Sequence, residues 1–233
     1  MRGEGAAAEA AAAVRYLAEH GYETTTASQL ADAIGMSRST FFRRFGSKED
    51  VVFADHDLAG IRLEHLLTDD ALSPDEAITR AALEVLHTLT RDRATARLRW
   101  DLLRHNPSLR ERELVLTHRY ERDFAKYLST RVPVSTPSWV PTALAAAVVA
   151  VHNAALRRWL RNDDARALTA LETELGELIA RFGPWFGGTD RPSRVMVATF
   201  DSEASPDDVM RAISIKLRAG EPETPSATSV DRA

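Results

Sequence analysis

Cysteine is absent from all 233 residues, which removes disulfide frameworks, thiolate metal sites and thiol nucleophiles at once. Catalytic signatures are lacking too. The sequence holds no His-Glu-x-x-His run, no Gly-x-Ser-x-Gly elbow and no glycine-rich phosphate loop, and His65, His87, His105, His118 and His152 are scattered. An enzyme is therefore not expected. Long alternating strand patterns are missing through the body of the chain, which points to an all-α fold. The longest apolar run, Ala143 to Val151, is far short of a membrane span. The alanine-rich start is interrupted by Glu4 and Glu9 and has Arg2 as its sole basic head, so it reads as a helix and not as an export signal. A cytoplasmic setting without membrane or cofactor is expected.

What is present is an ordinary globular composition, 44% hydrophobic and 27% charged with a formal net charge of -4, enough for a sizeable core. Positive charge is concentrated locally. From Ala33 to Lys48 the charged residues are Arg38, Arg43, Arg44 and Lys48, with no acid among them. Cations gathered in one stretch let an acidic chain bind DNA, because neutralising phosphates releases condensed counterions.

The same stretch reads as two short helices about a tight turn. Thr26 and Gln29 stand at capping-box spacing. Leu30, Ala31 and Ile34 form an apolar stripe, and Gly35 can adopt the left-handed conformation that closes a helix. Ser37 is a candidate N-cap for the next helix, whose Phe41 and Phe45 are four apart and share a core face. Arg38, Ser39, Phe42 and Arg43 lie on the other side, with Thr40 at its edge. Ser47 and Asp50 repeat the capping spacing and place Lys48 beside unsatisfied backbone amides, where a phosphate would sit well. A preceding helix, with Val14, Leu17 and Ala18 on one stripe and Gly21 at its end, completes a three-helix unit.

The ordered set Thr26, Leu30, Ala31, Gly35, Ser37, Thr40, Phe41, Phe42, Phe45, Ser47, Lys48 and Glu49 resembles the N-terminal pattern of the TetR family of one-component transcriptional regulators. The resemblance implies a helix-turn-helix DNA-binding domain at 6–48 and a larger helical effector-binding and dimerisation domain at 49–187. It implies that the second helix enters the major groove, with Arg38, Ser39, Thr40, Phe42 and Arg43 as the contact set, Thr26 and Lys48 at phosphate, and Ser28, Ser37 and Arg44 as further DNA-binding residues. Phe42 stands where the family usually has Tyr, and Ser28 where Arg often reads a base, so the operator is not inherited by analogy. It also implies an inverted-repeat operator, a homodimer, a small-molecule effector, and repression as the default. A DNA-binding regulator or architectural protein without an effector is the alternative.

Beyond Val51 the pattern predicts helices near Asp50–Leu67, Pro74–Thr90, Arg91–His105, Ser108–Arg131, Pro137–Arg161 and Ala165–Phe182. The helix from Thr142 to Leu156 is apolar nearly all round. The next carries the stripe Leu168, Leu171, Leu175, Leu178, Ile179 and Phe182. One chain offers too little to cover both, so a twofold four-helix interface through 137–161 and 165–182 is expected. Trp100, His118, Tyr120, His152, Asn153 and Trp159 are polar-tipped or aromatic residues on otherwise buried helices, the mixture that small-molecule pockets use. Arg91, Arg93, Arg97, Arg99 and Arg104 stand against Asp92 and Asp101, an excess that could greet an anionic ligand such as an acyl-coenzyme A thioester. At 188–220 the sequence reads as an appendage, with a strand at Val195–Phe200 and a helix from Ser205 to Arg218. From Glu221 the composition, at 221–233, is that of a disordered tail.

Overall fold

The computed structural model describes residues 2–162 and 166–185; the strand at Val195–Phe200, the helix at Ser205–Arg218 and the tail from Glu221 lie outside them. Among the described residues the regular elements are helices. They are α1 (Arg2–His20), α2 (Ala27–Ala33), α3 (Arg38–Phe45), α4 (Lys48–Val52), α5 (Ala54–Leu67), α6 (Pro74–Thr90), α7 (Arg93–His105), α8 (Pro107–Ser129), α9 (Trp139–Asn162) and α10 (Ala167–Phe182), followed by a 3-10 turn at Gly183–Trp185.

Local chemistry sets most helix starts. Thr26 and Gln29 form a full capping box on α2, and Ser73 and Glu76 form another on α6, with Pro74 in its first turn. Asp92 caps α7, and Pro107 opens α8. Gly35, at φ +72°, makes the turn between α2 and α3.

One expectation is corrected here. The helix expected from Asp50 to Leu67 is two helices, broken at Phe53 (φ -111°, ψ 17°). Val51, Val52 and Phe53 are all buried in the same cluster. Successive residues of an unbroken helix point about 100° apart, so burying three large residues in a row in one core is hard for a continuous helix, and the break turns all three inward.

The apolar residues fall into two clusters. The first joins Ala10, Ala13, Val14 and Leu17 of α1 to Leu30, Ala31, Phe41 and residues 51–53, and is completed by Leu102, Leu103, Leu109 and Leu116 from α7 and α8. Ala18, expected on this stripe, faces solvent. The second is built from α5, α6, α8, α9 and α10. By length and hydropathy α9 would qualify as a membrane span, but its Leu144, Ala145, Val148 and Val149 are buried in this second core.

The leucine stripe of α10 is also used at home. Leu171, Leu175 and Ile179 are buried in the second core, Leu178 and Phe182 pack partly against it, and Leu168 stays exposed. Exposed on α9 are Ala146, Ala150 and Ala154 together with Trp139, Thr142, Arg157 and Arg161, and on α10 Thr169, Thr173, Gly176 and Ala180 together with Leu168, Glu172, Glu177 and Arg181.

Candidate DNA interface and effector cavity

α3 presents the expected face. Phe41 is fully buried, and Phe45 packs partly against the same core. Arg38, Ser39, Phe42 and Arg43 are exposed, with Thr40 half-buried. Arg38 lies over the Phe42 ring, 5.7 Å from its centroid, and Phe42 meets Phe41 edge-on at 5.7 Å. Arg43 has no ion pair among the described residues and projects from the last turn of α3. Ser37 is used as the cap: its hydroxyl accepts from the Thr40 amide at 3.2 Å and donates to Thr40 Oγ1 at 2.9 Å. Thr26 is exposed but engaged, its amide and hydroxyl both donating to Gln29 Oε1. Ser28 is half-buried on α2.

Two basic residues are placed differently from expectation. Arg44 turns back to α1, where its guanidinium pairs with Glu9 at 2.8 Å, so its charge is locally neutralised. Lys48 points inward. Its ammonium donates to the carbonyls of Tyr22 (2.7 Å) and Thr25 (3.1 Å) and sits 4.0 Å over the Tyr22 ring. It thereby fastens α4 to the turn between α1 and α2. Tyr22 answers by donating to Glu49 at 2.5 Å. A phosphate at α4 would have to compete with those two carbonyls for the ammonium.

Behind this unit lies a cavity of about 50 Å3, lined by Phe53, His56, Leu89, Ala96, Arg99, Trp100, Leu103, Glu113, Thr117, Tyr120, His152, Asn153, Leu156 and Leu160. That volume holds a few waters. Trp100, Tyr120, His152 and Asn153 of the expected set meet here. His118 does not: its side chain is 77% exposed and pairs with Glu121 on the outside of α8. Trp159 lies outside the lining. Of the five arginines from Arg91 to Arg104, Arg99 alone lines this cavity, while the other four are exposed.

Burial governs the titration of the lining. It holds His152 down to about 4 despite the opposing hydrogen bond to Asn153. It also depresses His56 well below the usual imidazole range, helped by the charge of Arg99 and by His152. Both rings are therefore neutral near pH 7. Burial raises Glu113, with Arg157 opposing, and raises the Tyr120 phenol. Tyr120 reaches His56 through its hydroxyl, 3.2 Å from the carbonyl and 3.3 Å from Nδ1.

Arg99 connects the cavity to the DNA-binding unit. Its Nε donates to the Val52 carbonyl at the end of α4 at 2.7 Å, and its Nη2 pairs with Asp55 at the start of α5 at 2.6 Å. Arg112 of α8 holds Asp50 of α4 at 2.6 Å. Sequence reasoning saw Arg99 as one of a charged run and missed His56, Glu113 and Arg112. His56 and Tyr120 are 64 residues apart, so no local spacing joins them. His56 three residues after a buried Phe53 was the available signal.

Residues 10–54 match the sequence family described as bacterial regulatory proteins, tetR family, and residues 72–183 match the one described as the MftR C-terminal domain. The chain belongs to the TetR family. As a TetR-family protein it is a DNA-binding transcriptional regulator with an N-terminal helix-turn-helix followed by a helical domain. A relative from Mycobacterium tuberculosis, named for mycofactocin biosynthesis regulation as MftR, is 25% identical over 162 residues, covering 68% of this chain and 81% of that protein. The fatty acid degradation regulator FadR from Bacillus halodurans superposes with a TM-score of 0.52 at 21% identity, over 73% of this chain and 92% of that one. FadR from Bacillus subtilis, solved in complex with stearoyl-CoA, superposes with a TM-score of 0.51 at 19% identity, over 78% and 97% of the two chains. At these identities the two structures share the TetR fold with this chain.

Proposed function

We propose that this TetR-family regulator is a homodimeric repressor that binds an inverted-repeat operator and is released when a small molecule enters the cavity behind α4. The observation that carries this reading is the position of Arg99, which lines the cavity and grips the last carbonyl of α4. At the other end of α4, Lys48 grips the turn that leads into α2. A ligand that displaces Arg99 therefore loosens the element that positions α2 and α3.

Arg38 and Arg43 are the proposed direct DNA contacts, with Ser39, Thr40 and Phe42 beside them, and Ser28 at the α2 edge. Two copies meeting along the exposed alanine, threonine and glycine positions of α9 and α10 can approach closely there, since interaxial distance follows side-chain size. That pairing would set two copies of α3 about 34–36 Å apart, one turn of the duplex. The proposed role is binding without catalysis, in the cytoplasm where the chromosome lies.

An acyl-coenzyme A effector, the class seen in the stearoyl-CoA complex of the B. subtilis protein, would need the cavity to widen many-fold. It would meet there one guanidinium already paired with Asp55. The small volume of the cavity also favours a second reading, a regulator that responds to no ligand.

Selection of bound duplexes from a random pool, repeated with cell metabolite extract, tests the proposal. Enrichment of an inverted repeat that the extract dissociates supports it. Binding without two-fold symmetry removes the dimer, and binding that no extract or compound changes leaves the second reading.

A further inference from the structure

His152 is buried, 7% exposed, and its Nε2 has no hydrogen-bond partner. Its Nδ1 lies 3.3 Å from Asn153 Oδ1. A carbonyl oxygen only accepts, so the ring proton sits on Nδ1 and Nε2 is left as a lone-pair acceptor. A buried acceptor with no protein donor takes its hydrogen bond from a water or a ligand, because leaving it unmade is costly. Among the lining residues, His152 is the buried group whose bonding is incomplete.

The surrounding charges disfavour an ion of either sign. The Arg99 guanidinium is committed to Asp55 and to the Val52 carbonyl, so it offers an anion little, and Glu113 on the same lining would repel one. A cation would find Glu113 but also meet Arg99, and would lose its hydration in a space of about 50 Å3. Phe53, Trp100, Leu103 and Leu156 supply apolar and aromatic walls.

Resting on the effector reading above, we propose that this cavity takes a small uncharged molecule that donates a hydrogen bond to His152 Nε2 from an apolar or aromatic body, such as a phenol, an alcohol or an N–H heterocycle. A ligand of one ring asks for a modest opening of the lining, which includes Trp100 and Arg99.

The test uses the full chain, 15N-labelled, with phenol, indole and cyclohexanol as donor probes. Anisole, with the ring but no donor, and benzoate and benzylamine, with opposite charges, serve as comparisons. Phenol is expected to raise the melting temperature, to move the His152 Nε2 resonance, and to bind about tenfold tighter than anisole, the factor a single well-placed hydrogen bond supplies. His152→Phe is expected to erase that preference; should this variant fail to fold, the wild-type resonance shift decides alone. Anisole binding as well as phenol, a preference for benzoate or benzylamine, no binding of any donor probe, or binding that leaves His152 unmoved would overturn the ligand class. The selected duplex separates the two readings. Release by metabolite extract without binding of the donor probes overturns the class and leaves an effector in place, whereas donor binding at His152 that never releases the duplex supports the class and removes the effector role.

Discussion

Arg99 and Val52 are 47 residues apart in sequence, yet the guanidinium Nε of one donates to the carbonyl of the other at 2.7 Å. The same guanidinium pairs with Asp55 at 2.6 Å, both side chains largely shielded from water.

Removing Arg99 leaves Asp55 buried without its counterion and the end of α4 untied. Arg99→Ala is expected to destabilise the fold by about 3–5 kcal/mol, the usual cost of breaking a shielded pair from one side. Arg99→Ala with Asp55→Ala together should recover much of that loss while DNA binding stays impaired. Urea unfolding and duplex titration of the wild type and the two variants check both halves.

Lys48 is a fastener of the α1–α2 turn. Lys48→Met is expected to lower stability by about 1–3 kcal/mol, since its bonds are charge-assisted. It should weaken all duplexes alike, with the slope of log affinity against log salt unchanged. A slope reduced by about one would instead assign the ammonium to phosphate.

Arg43 is exposed on α3 without an ion pair among the described residues. Arg43→Ala is expected to cost about 1–3 kcal/mol on the selected operator and less on unrelated duplexes, as for a base contact. Equal losses on every duplex would make it a phosphate contact.

His152 gives the protein an acid limit. Its folded-state pKa of about 4 lies below the ordinary 6.5, so between those values the unfolded chain binds the extra proton. Stability is therefore full above pH 6.5 and is lost as pH falls toward 4, by up to about 3 kcal/mol for this residue. His56 acts in the same direction. Asp55, raised by burial against the opposing charge of Arg99, and Glu113, raised by burial against Arg157, act in the opposite sense, so the histidine is isolated by comparing wild type with a His152 variant. Denaturant midpoints from pH 7 down to 5 should fall in the wild type and fall less in His152→Phe.

The helix-turn-helix was legible because its determinants are local. A capping box, a left-handed glycine and two phenylalanines four apart are all visible within twenty residues of sequence. The fates of Arg44 and Lys48 were not legible, since their partners Glu9 and Tyr22 lie 35 and 26 residues away. Trp100, Tyr120, His152 and Asn153 were found by their chemistry on apolar helices. His118 has the same chemistry, but it stands two residues before Tyr120 on α8, a spacing that sends the two side chains to nearly opposite faces. The break at Phe53 was hidden because helix-forming residues run on both sides of it, and a conflict over burial, not a breaker residue, causes it.

That break leaves α4 five residues long, too short to hold a helix by its own backbone bonds in water. Its orientation is borrowed from Lys48, Arg112 and Arg99, so it behaves as a strut pinned at its ends, and shifting any pin redirects it at little cost. Reciprocity follows from thermodynamics: whatever factor a guest in the cavity takes from the grip on the duplex, the duplex must take from the guest.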